Sequence, residues 1–259
     1  EERPGLSPYI YCNSNPIMLI DPSGQRPDEY EGALMAGAAY KDENISSYLK
    51  ALDSRNWTLA CRYRDDSILD KKLGSGLEMA VFVRTNTGNI EIAIAFAGTN
   101  SVIDGVDDVL QAVGLSHQYS KSNSISTLLV EKLRHQFNTE DITFVGHSLG
   151  GGLATLASYA TGLPALVYNP AALSLYTKKF NNVSHKPNVK NYVSSTNIGF
   201  FNVIVDPLRI GQRAINTIGT ILFPFFSKGI SNLPGETIRV PMKPAFSHGI
   251  KNMSDALKR

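Results

Sequence analysis

Cysteine is scarce in this chain. Its 259 residues include two, Cys12 and Cys61. That is too few for a disulfide scaffold and short of the four closely spaced ligands of a structural zinc site, so both are expected as free thiols. An excess of one charge is also missing: 25 Lys and Arg stand against 23 Asp and Glu, a formal net charge of +2. A nucleic-acid binder gathers basic residues in clear excess, so the near balance argues against that class. Long apolar runs are absent as well, and none reaches the ~18 residues of a membrane-spanning helix. The nearest, residues 215–226, is interrupted by Pro224. The opening Glu1-Glu2-Arg3-Pro4-Gly5 has neither an initiator Met nor the apolar centre of a signal peptide, and it reads as a start inside a longer protein. The sequence contains no repeat of any period.

What is present is apolar content, 42% of residues against 19% charged, enough to bury one large core. Helical spacing begins at Glu29, with Ala33, Leu34, Ala36, Ala38 and Ala39, and continues through Ile45, Tyr48, Leu49 and Leu52. Residues 57–63, 78–84, 90–96, 141–145, 165–168 and 189–194 read as strands, and 202–205 is apolar and β-branched. A turn is expected over 85–89, and helices are expected over about 102–137 and over 149–160. Strands alternating with helices predict an α/β fold, a mostly parallel central sheet with helices on both faces.

The chemistry is concentrated at Phe144-Val145-Gly146-His147-Ser148-Leu149-Gly150-Gly151-Gly152. Gly-x-Ser-x-Gly lies here between an apolar strand and a small-residue helix, the context in which the serine is a nucleophile on a strained strand-to-helix turn. Side chains at the flanking positions would collide with strand and helix, and the helix N-terminus favours an anion at Ser148.

A serine nucleophile needs a base, and the base needs an orienting acid, which in this fold follow in the order Ser, acid, His. Only Asp206, Glu236 and Asp255 supply carboxylates after Ser148, and only His185 and His248 supply imidazoles. His185 precedes all three acids, so chain order points to His248 as the base. Asp206 directly follows Asn202-Val203-Ile204-Val205, at the C-terminal end of a strand where such sheets present functional groups, and it is preferred as the acid. Glu236, beside a Pro-Gly turn, is the lesser alternative. His147 is expected to pack structurally, and His117 and His135 to lie exposed or partly buried on a helix. For the oxyanion, one donor is the N–H of Leu149; the other is expected from Thr99, whose N–H and hydroxyl follow the strand end at Phe96-Ala97-Gly98.

Residues 30–255 resemble the class 3 lipases, the fungal-lipase-like branch of the α/β-hydrolases. The oxyanion loop is matched by Phe96-Ala97-Gly98-Thr99, the elbow by Gly146 to Gly151 and the acid by Asp206-Pro207. Ala97 stands where that family often has Arg. The resemblance implies hydrolysis of lipid acyl esters by a serine lipase or phospholipase, with no metal or cofactor. Residues 215–226, carrying Ile215, Ile218, Ile221, Leu222, Phe223, Phe225 and Phe226 between Arg209, Arg213 and Lys228, are expected to be a lid or membrane-contact element. Within the same fold a small-molecule esterase or thioesterase is the alternative, and a non-catalytic binding module is a second.

The first 25 residues are unlike the rest. Tyr9 to Pro16, four apolar residues and then Asp21-Pro22-Ser23-Gly24 resemble the end of the Rhs-repeat core of bacterial polymorphic toxins. Gln25 stands where that family usually has Leu at its self-cleavage point. The resemblance divides the chain into an Rhs-like segment, 1–25, and an effector domain, 26–259. It implies an antibacterial phospholipase of type A, delivered by a type VI secretion system to the periplasm or cytoplasmic-membrane surface of a target cell. The partners it implies are phospholipid membranes, a cognate immunity protein, and the parent Rhs cage and secretion-spike proteins.

Overall fold

The structure is a computed structural model that describes residues 27–40, 43–64, 77–86, 88–98, 116–173, 185–198, 201–204, 233–241 and 249–258. In chain order the elements are α1 (Glu29–Ala39), α2 (Ile45–Asp53), β1 (Thr58–Arg64), β2 (Glu78–Asn86), β3 (Asn89–Phe96), α3 (Ser116–Phe137) and β4 (Ile142–His147). They continue as α4 (Leu149–Thr161), β5 (Pro164–Tyr168), β6 (Asn188–Ile198), β7 (Phe201–Ile204), β8 (Glu236–Pro241) and α5 (Ile250–Leu257). The Rhs-like segment, Cys12 and residues 215–226 lie outside the described residues. Cys61 is a free, exposed thiol on β1.

A parallel sheet covered on both faces needs strands that are apolar on both sides, and the middle strands here are. β4 is buried along its whole length, and β3 from Glu91 onward. The strands pair in the order β1-β2-β3-β4-β5-β6-β7, with β8 also on β6. The pairs β3–β4, β4–β5, β5–β6 and β6–β8 are parallel. Antiparallel pairs, β1–β2–β3 on one side and β6–β7 on the other, form the margins. Asn86 opposite Asn89 closes a tight turn in which Gly88 adopts φ +89°, the positive-φ geometry that two-residue hairpins require.

Alternation along β3 divides the core into two. Ala93, Ala95 and Ala97 face α1, α2 and α5, whereas Ile92, Ile94 and Phe96 face α3 and α4. The small side chains suit α1, whose residues from Tyr30 to Ala39 are all buried and include Ala33, Ala36, Ala38 and Ala39. Helices thus cover both faces of a mostly parallel sheet, the α/β architecture expected. One difference lies in the first helical stretch, which breaks into α1 and α2. The backbone turns extended at Tyr40, with φ −71° and ψ 155°, although the apolar spacing runs on across the break.

Away from the C-terminal ends of the central strands lies a buried ionic cluster. Arg84 of β2 bonds Glu31 of α1 at 2.8 Å and Glu91 of β3 at 2.6 Å, with its guanidinium 4.4 Å from the Trp57 ring centre. Glu91 Oε1 is buried with no partner among the described residues. Burial raises the Glu91 pKa; Arg84 opposes this, and Glu31 and Asp141 add to it. Because the folded value stands above the unfolded one, this stabilising contribution is complete below ordinary glutamate pKa values of ~4.3 and is lost as pH climbs through the folded value. Relative to Glu91→Gln, the wild type is therefore expected to melt progressively lower as pH rises toward neutrality. Calorimetry across that range checks it: equal pH slopes for both proteins would show that Glu91 is not the titrating group.

Candidate active site

β4 and α4 meet without a loop, and the residue between them takes the strain. Ser148 adopts φ 57° and ψ −124°, a conformation costing about 1–3 kcal/mol for a residue with a Cβ. The neighbouring backbone holds it there. Ser148 N–H donates to the Tyr168 carbonyl at 3.1 Å, and the Ser148 carbonyl accepts from Ala171 at 2.8 Å and from Gly152 at 3.2 Å. The nucleophile candidate is thus tied to the end of β5 on one side and to the loop after β5 on the other.

The flanking glycines are required by space. A Cβ on Gly146 would collide with the Gly150 carbonyl and lie 2.7 Å from the Gly151 nitrogen. On Gly150 it would collide with the Phe96 carbonyl and stand 2.9 Å from the Ala97 carbonyl carbon, where β3 ends against the elbow. Gly151 faces Pro170, whose Cβ would be 2.8 Å away. These close approaches press the elbow between the ends of β3 and β5.

The Gly152-to-Ser148 bond is the first of the helical ladder of α4. N–H groups of Leu149, Gly150 and Gly151 therefore precede it, in the helix turn whose donors have no intrahelical partner and whose dipole favours an anion. Ser148 is 6% exposed and Leu149 7%, so charge developing there meets little bulk water. Among the described residues no three His, Cys, Asp or Glu side chains group as metal ligands, and no helix is long and apolar enough to cross a membrane.

Of the expected site residues, Ser148 and Leu149 are placed in this way, whereas Thr99, Asp206 and His248 lie outside the described residues. The less favoured candidates, His185 and Glu236, are located. His185 is exposed and packs against Gly162, beyond the far end of the 13-residue α4, about 20 Å from Ser148 at 1.5 Å per residue. Glu236 is the first residue of β8 and exposed. Register carries it through Lys190 and Leu166 to the level of Val145, which puts it ~14 Å across and ~10 Å down the sheet from Ser148. β7, in contrast, lies at the same end of the sheet as Ser148, its last residue Ile204 opposite Ser195 and beyond the level of Tyr168. It runs antiparallel to β6, so its C-terminal end turns back from the edge where the parallel strands end, unlike the strand end expected before Asp206. His147 is 3% exposed and bonded to Tyr40 at 3.0 Å, a packed residue as expected. His135 is exposed on α3.

Sequence reasoning passed over the second layer of the elbow. Asn169 follows β5 at φ 41°, a left-handed conformation that Asn tolerates better than most residues. Its Oδ1 accepts from the Ser194 N–H at 2.9 Å, its Nδ2 donates to Ser194 Oγ at 2.9 Å, and its own N–H donates to the Tyr192 carbonyl at 2.8 Å. This clamp sets the course of Pro170 and Ala171, which touch Gly151 and Ser148. Asn-Pro at a strand's C-terminal end was the available signal.

The chain matches a family model described as phospholipase-like, a Tle-like phospholipase domain, over residues 31–239. It is 34% identical over 105 residues to the extracellular phospholipase A1 of Serratia liquefaciens, a match covering 40% of this chain and 30% of that protein. The matched part is thus under a third of that relative's length. A crystal structure of a mutant form of MDLA from Penicillium cyclopium superposes with a TM-score of 0.41 and 18% identity, over 68% of this chain and 73% of that one.

Proposed function

We propose that this chain, which belongs to the Tle-like phospholipase family, hydrolyses acyl esters of membrane phospholipids with Ser148 as nucleophile. The observation that carries the reading is Ser148 itself, a buried serine at φ 57° on the sharp join of β4 and α4, beside unladdered helix N–H groups. Catalytic elbows have this geometry.

His248 takes the Ser148 proton as Oγ attacks the ester carbonyl, and the N–H groups of Leu149 and Thr99 hold the oxyanion. Collapse of this intermediate expels the lysophospholipid, which receives the proton from His248. Water then attacks the acyl-enzyme, again deprotonated by His248, and releases the fatty acid. Asp206 orients the imidazole and stabilises its charged form. Placement of β7 supports Asp206 over Glu236, and the remoteness of His185 supports His248. The reaction needs no metal or cofactor.

The Rhs-like leader supports a further reading of this activity as an antibacterial one. The domain is a phospholipase effector carried by an Rhs cage and a type VI secretion spike, and neutralised in the producing cell by an immunity protein. Residues 215–226 form its membrane contact.

The test uses the purified full chain on vesicles of phosphatidylethanolamine and phosphatidylglycerol, with products identified by mass spectrometry. Fatty acid and lysophospholipid are expected in equal amounts. Cleavage of short soluble esters alone would favour the small-molecule esterase, and no ester cleavage of any kind would favour the binding module. In the same assay Phe225→Ser with Phe226→Ser is expected to slow vesicle hydrolysis about tenfold or more and leave a soluble ester almost unaffected. Each buried ring contributes ~25 cal/mol per Å² to lipid binding, while the reacting groups are unchanged. Equal loss of both activities with a much lower melting temperature would place the segment in the core.

A further inference from the structure

We propose that Tyr40 is a positioning residue for the oxyanion side of this site, its hydroxyl packing against Gly98 while bonding to the peptide that carries Ser148. The inference rests on the reading of Ser148 as nucleophile and adds a residue that no motif marks.

Tyr40 caps the C-terminus of α1 and is 7% exposed. Its hydroxyl lies 3.0 Å from His147 Nδ1 and 3.2 Å from the His147 carbonyl oxygen. A phenol carries one hydrogen, so both bonds form together only when that hydrogen goes to the carbonyl and Nδ1 brings its own. His147 Nδ1–H then donates to Tyr40 Oη, and Tyr40 O–H donates to the peptide oxygen immediately before Ser148. The edge-on packing of the two rings, with centroids 5.9 Å apart at 63°, suits this chain of bonds. It also explains a histidine that is buried beside the nucleophile at a distance of 107 residues from its partner.

The same hydroxyl meets the other half of the site. A Cβ on Gly98 would collide with Tyr40 Oη and would lie 3.0 Å from the His147 carbonyl oxygen and 3.4 Å from the Gly150 nitrogen. Gly98 is therefore pressed between the hydroxyl and the elbow backbone, and the next residue is Thr99, the proposed second oxyanion donor. Leu149 supplies the first donor from the elbow. Tyr40 thus contacts both segments whose separation decides whether two N–H groups converge on one oxygen. Donors act at 2.7–3.1 Å from that oxygen, and complete loss of one costs about 10²–10³ in kcat. Partial misplacement falls below that, about 10–100-fold.

The experiment is Tyr40→Phe in the full chain, assayed on a soluble ester. Ring packing is kept, so the melting temperature is expected to change little. kcat should fall about 10–100-fold with KM within about twofold, and affinity for a trifluoromethyl ketone, which forms the oxyanion adduct, should fall by the same factor as kcat/KM. Gly98→Ala should also lower kcat, and combining it with Tyr40→Phe should cost less than the product of the single losses, because both act through one contact. Tyr40→Phe at the wild-type kcat, or a loss shared by kcat, KM and melting temperature, overturns the proposal, as does a double variant whose losses simply multiply. A fluorophosphonate that labels wild type but not Ser148→Ala separates the two readings. With such labelling, failure of the Tyr40 results removes this inference alone; without labelling or ester hydrolysis by the wild type, both fall.

Discussion

Ser148→Ala is expected to lower ester hydrolysis by roughly four to six orders of magnitude in a protein that folds as the wild type does. The loss follows from chemistry: without Oγ no acyl-enzyme forms, and what remains is the contribution of oxyanion donors and substrate binding. Retention of the fold follows from the structure. Ser148 makes no side-chain cap to α4, and the bonds that hold it to Tyr168, Ala171 and Gly152 are all through its backbone. Alanine keeps those bonds and has the same Cβ strain at φ 57°, so the stability change should stay below about 1 kcal/mol. Hydrolysis rates and melting curves on the two proteins decide it. A folded Ser148→Ala protein working at the wild-type rate would remove the nucleophile assignment and with it the proposed mechanism.

Asp206→Asn is expected to reduce kcat by about 10⁴, the effect of an imidazole held in the wrong tautomer, whereas Glu236→Gln should change it less than about twofold. The contrast rests on position. β7 brings the chain as far as Ile204 at the end of the sheet that carries Ser148. Glu236 enters β8 from the other end, exposed, three strands from β4. A carboxylate at that distance from Ser148 is too far to orient a base that bonds the Ser148 hydroxyl, and solvent screens its charge. Steady-state kinetics on both variants test this, and a large loss in Glu236→Gln beside an active Asp206→Asn would reverse the assignment.

Much of the fold was legible because its central strands are buried on both faces. Such strands appear as short apolar runs, and residues 90–96 and 141–145 lie within or one residue off β3 and β4. The elbow was legible for a steric reason. Gly146 and Gly150 sit where an added Cβ would come within 3 Å of neighbouring backbone atoms, and glycine is the residue that avoids this, so the constraint is written at fixed spacing around Ser148. Boundaries were less legible: β6 extends to Ile198, and β2 to Asn86, because pairing with a neighbour continues after the apolar pattern stops. The break between α1 and α2 was hidden because α1 is buried on every side and its alanines offer no polar stripe.

Local pattern, then, carried the strand–helix alternation, the strained nucleophile turn and the small set of acids and histidines able to serve it, since each depends on residues within a few positions of one another. Contacts across the fold carried the rest. Tyr40 reaches His147 over 107 residues, Asn169 clamps Ser194 over 25, and Arg84 joins Glu31 over 53. None of these pairs has a spacing signature. Each forms because α1 lies along the sheet or because β6 is added beside β5, and those placements follow from burying two apolar faces at once, a property of the packed chain and not of any segment of it.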